Sequence, residues 1–191
     1  MNNKITKGPS TVLFPVPTVL VTSRLEGGDP DIITIAWTGI MNSEPPVVYI
    51  SVRPVGRHSY NLIKESGEYV INIPSASQVA VVDYCGTVSG KEVDKFKETG
   101  LTPVPAQYVK APLIAECPVN VECRVKQVIS LGSHDVFVGE VLAVHFNKDV
   151  LDEKGRPDFE LIEPYGYCTG EYRLISKKIG YYGYSKKEMP R

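Results

Sequence analysis

The clearest pattern in the chain is a strict alternation of apolar and polar residues over positions 119–126. Such alternation predicts a β-strand with one buried face. A break of small and polar residues at 130–134 separates it from a second run rich in β-forming residues, 136–146. Together the two runs predict a long β-hairpin.

Shorter β-type runs precede this hairpin, and the helical patterns between them are brief. Strands are predicted at residues 18–23, 31–38, 47–53 and 68–73. Helices are predicted at residues 58–66, 77–84 and 92–98. The spacing of Ser89 and Glu92 predicts a capping box at the start of the last helix. Because many short strands hide their edges best by curling, we expect a mainly β protein, a β-barrel with short helices.

The C-terminal third is predicted to begin with an exposed excursion at residues 148–171. Two final strands are predicted after it, at 172–175 and 179–184. A length of 191 residues lies at the upper end of ordinary single-domain size. We therefore expect residues 1–191 to form one domain.

The charge balance excludes several classes of partner. The chain has 21 basic and 22 acidic residues, and so lacks the basic field that dominates binding to nucleic acid or anionic membranes. No apolar run approaches the ~20 residues that span a bilayer, and the opening residues 1–7 lack the apolar stretch of a signal peptide. We expect a cytoplasmic protein that binds neither nucleic acid nor membrane.

The cysteines and histidines do not form a metal-binding pattern. Cys85, Cys117, Cys123 and Cys168 include no Cys-x-x-Cys pair, and the three histidines do not fall at metal-ligand spacing beside them. No metal site is predicted. Buried free thiols are the expected state of these cysteines.

Residues 51–59 have the outline of an anion site, where a predicted strand passes into a helix. The segment contains Arg53 and Arg57, the hydroxyls of Ser51 and Ser59, and the predicted helix start at His58. Helix N-terminal N–H groups and an arginine are suited to a phosphate monoester. The alternative for the segment alone is a solvated basic turn.

A second candidate segment, residues 34–46, contains the only tryptophan, Trp37, at the end of a predicted strand. Backbone groups at a strand end can bind the edge of a flat heteroaromatic ring, while Trp37 and Met41 supply apolar surface. The alternative is that Trp37 is a core residue and the rest of the segment a plain loop.

In their order along the chain, these motifs resemble the flavin reductase-like family with the FMN-binding split barrel, in particular its flavoredoxin branch. The resemblance covers roughly residues 12–145 and is loose at the C-terminus. It rests on residues 15–23, 33–39, 44–46, 51–59, 65–74, 85–90, 94–96 and 132–141.

The resemblance implies a six-stranded Greek-key barrel that forms a homodimer, with FMN held near the subunit interface. Ser51, Arg57 and Ser59 would hold the phosphate; Arg53 belongs to the same segment, and His58 contacts phosphate or caps the helix. The isoalloxazine would meet, largely through backbone, the residues Thr34, Ile35, Ala36, Trp37, Thr38 and Gly39. The residues that would close over the cofactor are Ser89, Gly90 and Lys95.

His134 matches the histidine that the family places near the reactive face of the flavin. The other interpretation is a hairpin histidine bonded to a nearby carbonyl. Cys85 matches a Cys-Gly pair common in flavoredoxin-like relatives, and a packing thiol is the expected role.

The activity implied is non-covalent FMN accepting hydride from NADH or NADPH and passing electrons to free flavin, ferric iron, oxygen or a partner protein. No Gly-x-Gly-x-x-Gly follows a strand, so the nicotinamide would stack directly over the flavin. Two alternatives stay open. One is an FMN electron-transfer protein without NAD(P)H activity of its own; the other is a non-catalytic barrel that binds haem or nothing.

Overall fold

A computed structural model describes residues 3–188 of the chain. Met1 and Asn2, from the opening segment considered above, lie outside the described residues. Within that range the strands are β1 (Val16–Pro17), β2 (Val19–Ser23), β3 (Asp31–Ile35), β4 (Thr38–Ser43), β5 (Pro46–Val52), β6 (Glu68–Ile73), β7 (Pro103–Val104), β8 (Leu113–Ile114), β9 (Val119–Ser130), β10 (Asp135–Phe146), β11 (Tyr165–Cys168) and β12 (Glu171–Leu174).

The helices between these strands are short. They are α1 (His58–Ser66), α2 (Val79–Thr87), α3 (Lys95–Thr99), α4 (Phe159–Ile162) and α5 (Ser185–Glu188), with 3₁₀ turns at Ala76–Gln78 and Lys148–Val150. Helix α1 ends at Gly67, which has φ 68° and donates its N–H to the Ile63 carbonyl. Glycine adopts this left-handed conformation without a Cβ penalty, so the chain turns sharply into β6.

Seven strands form one antiparallel sheet in the order β3-β2-β6-β9-β10-β5-β4. The predicted hairpin is confirmed as β9 and β10, which pair from Ser130 opposite Asp135 to Val119 opposite Phe146. Strand β6 does not pair with β5, which precedes it, but lies between β2 and β9. This departure from chain order is what a Greek-key connection produces.

The sheet curls around a single apolar cluster. Ile33 of β3 and Ile50 of β5 belong to the same buried cluster, although four other strands separate β3 from β5 in the sheet. Only residues 36 and 37 link β3 to β4, which pairs with β5 at the other edge of the sheet, and the Ser51 N–H of β5 donates to the Trp37 carbonyl at 2.8 Å. A flat sheet would hold β3 and β5 far apart, so the sheet bends back on itself as the strand-rich pattern predicted.

The helices cover one outer side of this sheet. Leu20 and Ile32 contribute to a second buried cluster with Val82 of α2 and Phe96 of α3. Tyr165 of β11 joins the same cluster. Helices α2 and α3 are thereby fixed beside β3, the strand whose end borders the candidate site.

The predicted strand at residues 31–38 was wrong in its extent. Strand β3 stops at Ile35, and residues 38–43, for which no separate strand is predicted, form β4, which pairs with β5. Most of β4 is exposed at the edge of the sheet, so it lacks the hydrophobic alternation that reveals a half-buried strand.

The predicted C-terminal strands also need correction. Residues 179–184 form no strand, and the predicted excursion at 148–171 contains β11, which pairs with β1 and β12. Strand β12 corresponds to the predicted strand at 172–175. Strands β11 and β12 have four residues each, and so short a strand shows little alternation in the sequence.

Two helix predictions were displaced by a few residues. Helix α2 continues through Gly86 to Thr87, and α3 begins at Lys95. The Asp94 side chain, and not Ser89, caps α3 by accepting from the Lys97 N–H at 3.2 Å. The Ser89 hydroxyl instead accepts from the Lys91 N–H at 3.3 Å, which stabilises a turn in the preceding loop.

Among residues 3–188 there is no helix whose length and apolar character would let it cross a membrane.

The close approach of β6 and β10 generates a stability prediction. Gly139 lies against the fully buried Tyr69 ring, and a Cβ at position 139 would overlap the Tyr69 hydroxyl and lie 2.8 Å from Cζ. We expect Gly139→Ala to lower the free energy of unfolding by about 1–3 kcal/mol, as overpacking a tight core does. Urea denaturation measures this loss.

The matched controls are Gly8→Ala and the Tyr69→Phe, Gly139→Ala double variant. Nothing lies within 4 Å of a Cβ added at Gly8, so that variant should be neutral. Removing the Tyr69 hydroxyl should recover part of the lost stability. A Gly139→Ala protein as stable as the parent would contradict the packing described.

Candidate functional site

The candidate site is a polar trough where β3 and β5 end next to each other. The trough has a volume of about 360 Å³. It is lined by Ile33, Thr34, Ile35, Ala36, Trp37, Ser51, Val52, Arg53, Arg57, His134 and Tyr167. The structure thus brings together the two segments that the sequence singled out separately, residues 34–39 and 51–59.

Helix α1 points its N-terminus toward this trough. Arg57 is its N-cap residue, no side chain caps the helix, and its first turn contains no acidic residue. The Arg57 guanidinium donates to the Gly86 carbonyl at 3.2 Å through Nη1, which fixes the side chain between α1 and α2. An uncapped helix N-terminus beside a fixed guanidinium attracts an anion.

A buried ionic cluster lies under the start of α1. The Ser59 hydroxyl donates to Asp31 Oδ2 at 2.5 Å, and Lys95 Nζ lies 3.6 Å from Asp31 Oδ1. Lys95 also donates to the Ile32 carbonyl at 2.5 Å. Ser59, Asp31 and Lys95 are each at most 5% exposed, so their polar atoms face one another below the surface of the site.

This cluster adjoins a very small hollow of about 10 Å³, room for roughly one water molecule. Its lining includes residues predicted to hold the phosphate or to close over the cofactor, together with Asp31 of the buried cluster. These are Arg57, His58, Ser59, Ser89, Gly90 and Lys95, with Asp31. Arg57 and Ile33 line both this hollow and the trough, so the two spaces adjoin.

The corner at residues 34–39 presents backbone and the Trp37 ring, because its hydroxyls are already bonded. Thr34 donates to the Val82 carbonyl at 2.5 Å, and Thr38 donates to the Tyr49 carbonyl at 2.6 Å. Trp37 is 41% exposed and is therefore not the core residue of the alternative interpretation. Gly39 lines none of these cavities and packs instead on the Tyr49 ring, where a Cβ would lie 3.0 Å from Cε1.

His134 stacks on Trp37 at the rim of the trough. Their ring centroids are 4.5 Å apart with planes tilted by 31°. The Ser133 hydroxyl lies 3.0 Å from His134 Nδ1. Burial, with a further contribution from the Arg53 charge, lowers the pKa of His134 below 6.5. The imidazole is therefore mainly neutral at neutral pH.

An apolar hollow of about 400 Å³ continues from the trough and shares Ala36, Trp37 and Ser51 with it. Thr38 and Tyr49 line it, together with the segment 10–13 and Leu131. No charged residue is among the residues that line it. The combined space therefore changes from cationic at the α1 end to apolar beyond Trp37.

Two contributors to the site were missed in the sequence. Tyr167 reaches the trough from β11, which had been placed in an exposed excursion. Asp31 was read only as the first residue of a strand. The sequence offers no local signal for Asp31, because its partners Ser59 and Lys95 lie far along the chain. Tyr167 depends on the long-range pairing of β11 with β1.

Cys85 lies in α2 and is fully buried. Burial raises its pKa to about 11, outweighing the opposite influence of the Lys95 charge, while Asp31 raises it further. The thiol is protonated at neutral pH and packs in the second apolar cluster. In the described part of the chain, no group of three or more His, Cys, Asp or Glu side chains is arranged to bind a metal.

Comparison with known proteins matches residues 11–176 to the family described as Flavin reductase like domain. Flavoredoxin of Desulfovibrio vulgaris (Miyazaki F) is 32% identical with a TM-score of 0.89, over 96% of this chain and 99% of that one. Flavoredoxin from Methanosarcina acetivorans is 26% identical with a TM-score of 0.87, over 97% and 98%. These likenesses confirm the predicted mainly β split barrel.

A more distant structure with the same fold is the FMN-binding protein from Thermus thermophilus with bound 1-cyclohex-2-enone. It is 23% identical to this chain, with a TM-score of 0.77 over 95% of this chain and 99% of that one.

The environment of His134 generates a pH prediction. We expect its imidazole to titrate below pH 6.5 and its pKa to rise in Arg53→Gln, because that variant removes one of the two causes of the shift. Since the folded state disfavours the imidazolium, the stability that neutral His134 contributes should be lost as pH falls below 6.5, the value for an unfolded histidine. NMR titration of the His134 ring protons measures the pKa.

The matched control is Arg156→Gln, because Arg156 pairs with Asp152 in an exposed turn and should leave the His134 titration unchanged. An equal pKa in the parent and in Arg53→Gln would contradict the placement of Arg53 beside His134.

Proposed function

Because the chain belongs to the flavin reductase-like domain family, in its flavoredoxin branch, we propose that it binds FMN non-covalently and passes electrons through that flavin. The observation that carries the proposal is the combined space at the ends of β3 and β5. One end has two arginines and an uncapped helix N-terminus, and the other is apolar and aromatic. FMN has the matching distribution, with a phosphate at one end and a flat ring system at the other.

The phosphate end of FMN is assigned to the α1 side of the trough. Arg57, the N–H groups at the start of α1 and the Ser51 side chain would hold the phosphate, with Arg53 adding positive charge at the rim. His58 and Ser89 border the same region. The Ser59 hydroxyl and the Lys95 ammonium are committed to Asp31, so we assign these two residues to the support of the site.

The isoalloxazine is assigned to the corner formed by residues 34–38. Backbone groups there would bind the polar ring edge, and Trp37 with the apolar hollow would cover the remainder. Gly39 supports the corner by letting it pack on Tyr49. The distant Thermus thermophilus protein of the same fold is described as FMN-binding, which agrees with this assignment.

Bound FMN would supply the capacity to accept a hydride from NADH or NADPH and to release electrons to free flavin, ferric iron, oxygen or a partner protein. The chain's own residues bind the cofactor, orient it and exclude water. Neutral His134, stacked on Trp37, can offer a ring nitrogen at the rim without adding positive charge. No acid–base dyad is required for such a transfer.

We further propose that the chain is one domain and works as a homodimer with FMN near the subunit interface. Exposed apolar residues lie beside the site and support an interface there: Ile40 is 85% exposed, Val55 86% and Leu131 68%. Leu131 lines the apolar hollow itself, and large exposed apolar side chains beside a site favour contact with a second subunit. We also propose that the protein is cytoplasmic. The cysteines of the described residues are free thiols, which agrees with a reducing compartment.

The electron donor is tested by the visible spectrum of the FMN-loaded protein during anaerobic addition of NADH or NADPH. We expect the flavin absorbance near its visible maxima to bleach on addition of one of the two nucleotides. FMN retained but not bleached would support an electron-transfer protein reduced by another protein. A preparation that stays colourless after incubation with FMN would support a non-catalytic barrel.

Replacing Arg57 tests the phosphate assignment. We expect Arg57→Ala to raise the Kd for FMN about ten- to a hundredfold, as loss of a charge-assisted hydrogen bond of about 1.5–3 kcal/mol does. Calorimetric titration with FMN measures Kd, and circular dichroism should show an unchanged fold. Arg156→Ala, in an exposed turn that does not line the trough, is the control. An unchanged affinity in Arg57→Ala would remove Arg57 from the phosphate site.

A further inference from the structure

Asp31 is a buried carboxylate directly under the anion end of the site. It is 5% exposed, accepts the Ser59 hydroxyl at 2.5 Å, and has the Lys95 ammonium 3.6 Å away. It also lies against Gly90, where an added Cβ would be 2.7 Å from Asp31 Oδ2 and still closer to Oδ1. These contacts use both carboxylate oxygens.

The contacts of Asp31 join three separate segments that surround the proposed phosphate position. Ser59 lies in the first turn of α1, Gly90 lies in the loop between α2 and α3, and Lys95 begins α3. Lys95 extends the connection to α2 through the Cys85 carbonyl at 3.2 Å. A single side chain at the start of β3 therefore fixes the relative positions of these segments.

The charges of the cluster explain how an anion site tolerates a carboxylate beneath it. The Lys95 ammonium and the Asp31 carboxylate are both buried, and each is the partner that offsets the other's charge. The Ser59 hydroxyl occupies the second carboxylate oxygen. The positive charge that faces the trough is then that of Arg57 and Arg53, while Lys95 is held below the surface.

We propose that Asp31 is the positioning residue of the phosphate site: it sets the start of α1 and the 88–90 loop at the spacing that binds the phosphate of FMN. Asp31 acts through Ser59, Gly90 and Lys95 and does not contact the phosphate. The proposal rests on the proposed function, because it concerns the binding of FMN at the same site.

The test compares the affinities of FMN and riboflavin, which differ only in the phosphate. We expect Asp31→Asn to raise the Kd for FMN about tenfold or more, the scale of losing a charged hydrogen-bond partner, and to leave the Kd for riboflavin nearly unchanged. General loosening of the fold would weaken both ligands alike. Calorimetric or fluorescence titration with each flavin measures the ratio of the two Kd values.

Asp135→Asn is the matched control. Asp135 is 8% exposed and accepts the hydroxyl of Tyr60 at 2.6 Å, so it is a second buried carboxylate that holds an α1 side chain. Its replacement should leave the ratio of riboflavin Kd to FMN Kd unchanged.

Ser59→Ala is a second test variant: it keeps the buried ion pair, and it replaces Asp31→Asn as the test if Asp31→Asn does not fold. It should lower the ratio to a smaller extent and have no further effect when added to Asp31→Asn.

The outcomes separate the two proposals. A parent protein that binds neither flavin overturns the proposed function. A parent that prefers FMN, with the same preference in Asp31→Asn and Ser59→Ala, overturns only the role of Asp31. Tighter FMN binding by Asp31→Asn also overturns it, because Asp31 would then be withholding Lys95 from the phosphate.

Discussion

The hydrogen bond from the Ser51 N–H to the Trp37 carbonyl is the contact on which the site depends. It extends the pairing of β4 with β5 to Trp37, one of the two residues that link β4 to β3 at the opposite edge of the sheet. The buried cluster that contains Ile33 and Ile50 holds the same junction from inside. Curling of the sheet thereby brings an aromatic corner and a cationic helix start into one trough, which neither segment forms alone.

Charge is distributed in this trough so that an anion meets unpaired cations at the surface. Arg57 is fixed by the Gly86 carbonyl and Arg53 remains exposed, whereas Lys95 is neutralised by Asp31 below them. His134 is kept mainly neutral by burial and by Arg53. The positive charge of Arg53, which suits a phosphate, therefore adds to the effect of burial in keeping His134 neutral.

Much of this architecture could be predicted from sequence because its elements are strongly patterned. The alternation in β9 and the β-forming residues of β10 predict the hairpin, and local periodicity with Gly67 predicts the boundaries of α1 and β6. Strand β4 and strand β11 could not be predicted in this way, since one is an exposed edge and the other a four-residue strand defined by distant partners.

The candidate residues also differ in how far the sequence alone predicts their roles. The motifs at 34–39 and 51–59 mark chemistry that is local in the chain. The commitment of Ser59 and Lys95 to Asp31, and the packing of Gly39 on Tyr49, depend on contacts between distant segments. The most direct measurement of FMN binding uses Trp37, the only tryptophan of the chain. In a titration with FMN, we expect saturable quenching of Trp37 fluorescence at one FMN per chain; fluorescence that does not change in a saturable way would contradict a flavin site at this corner.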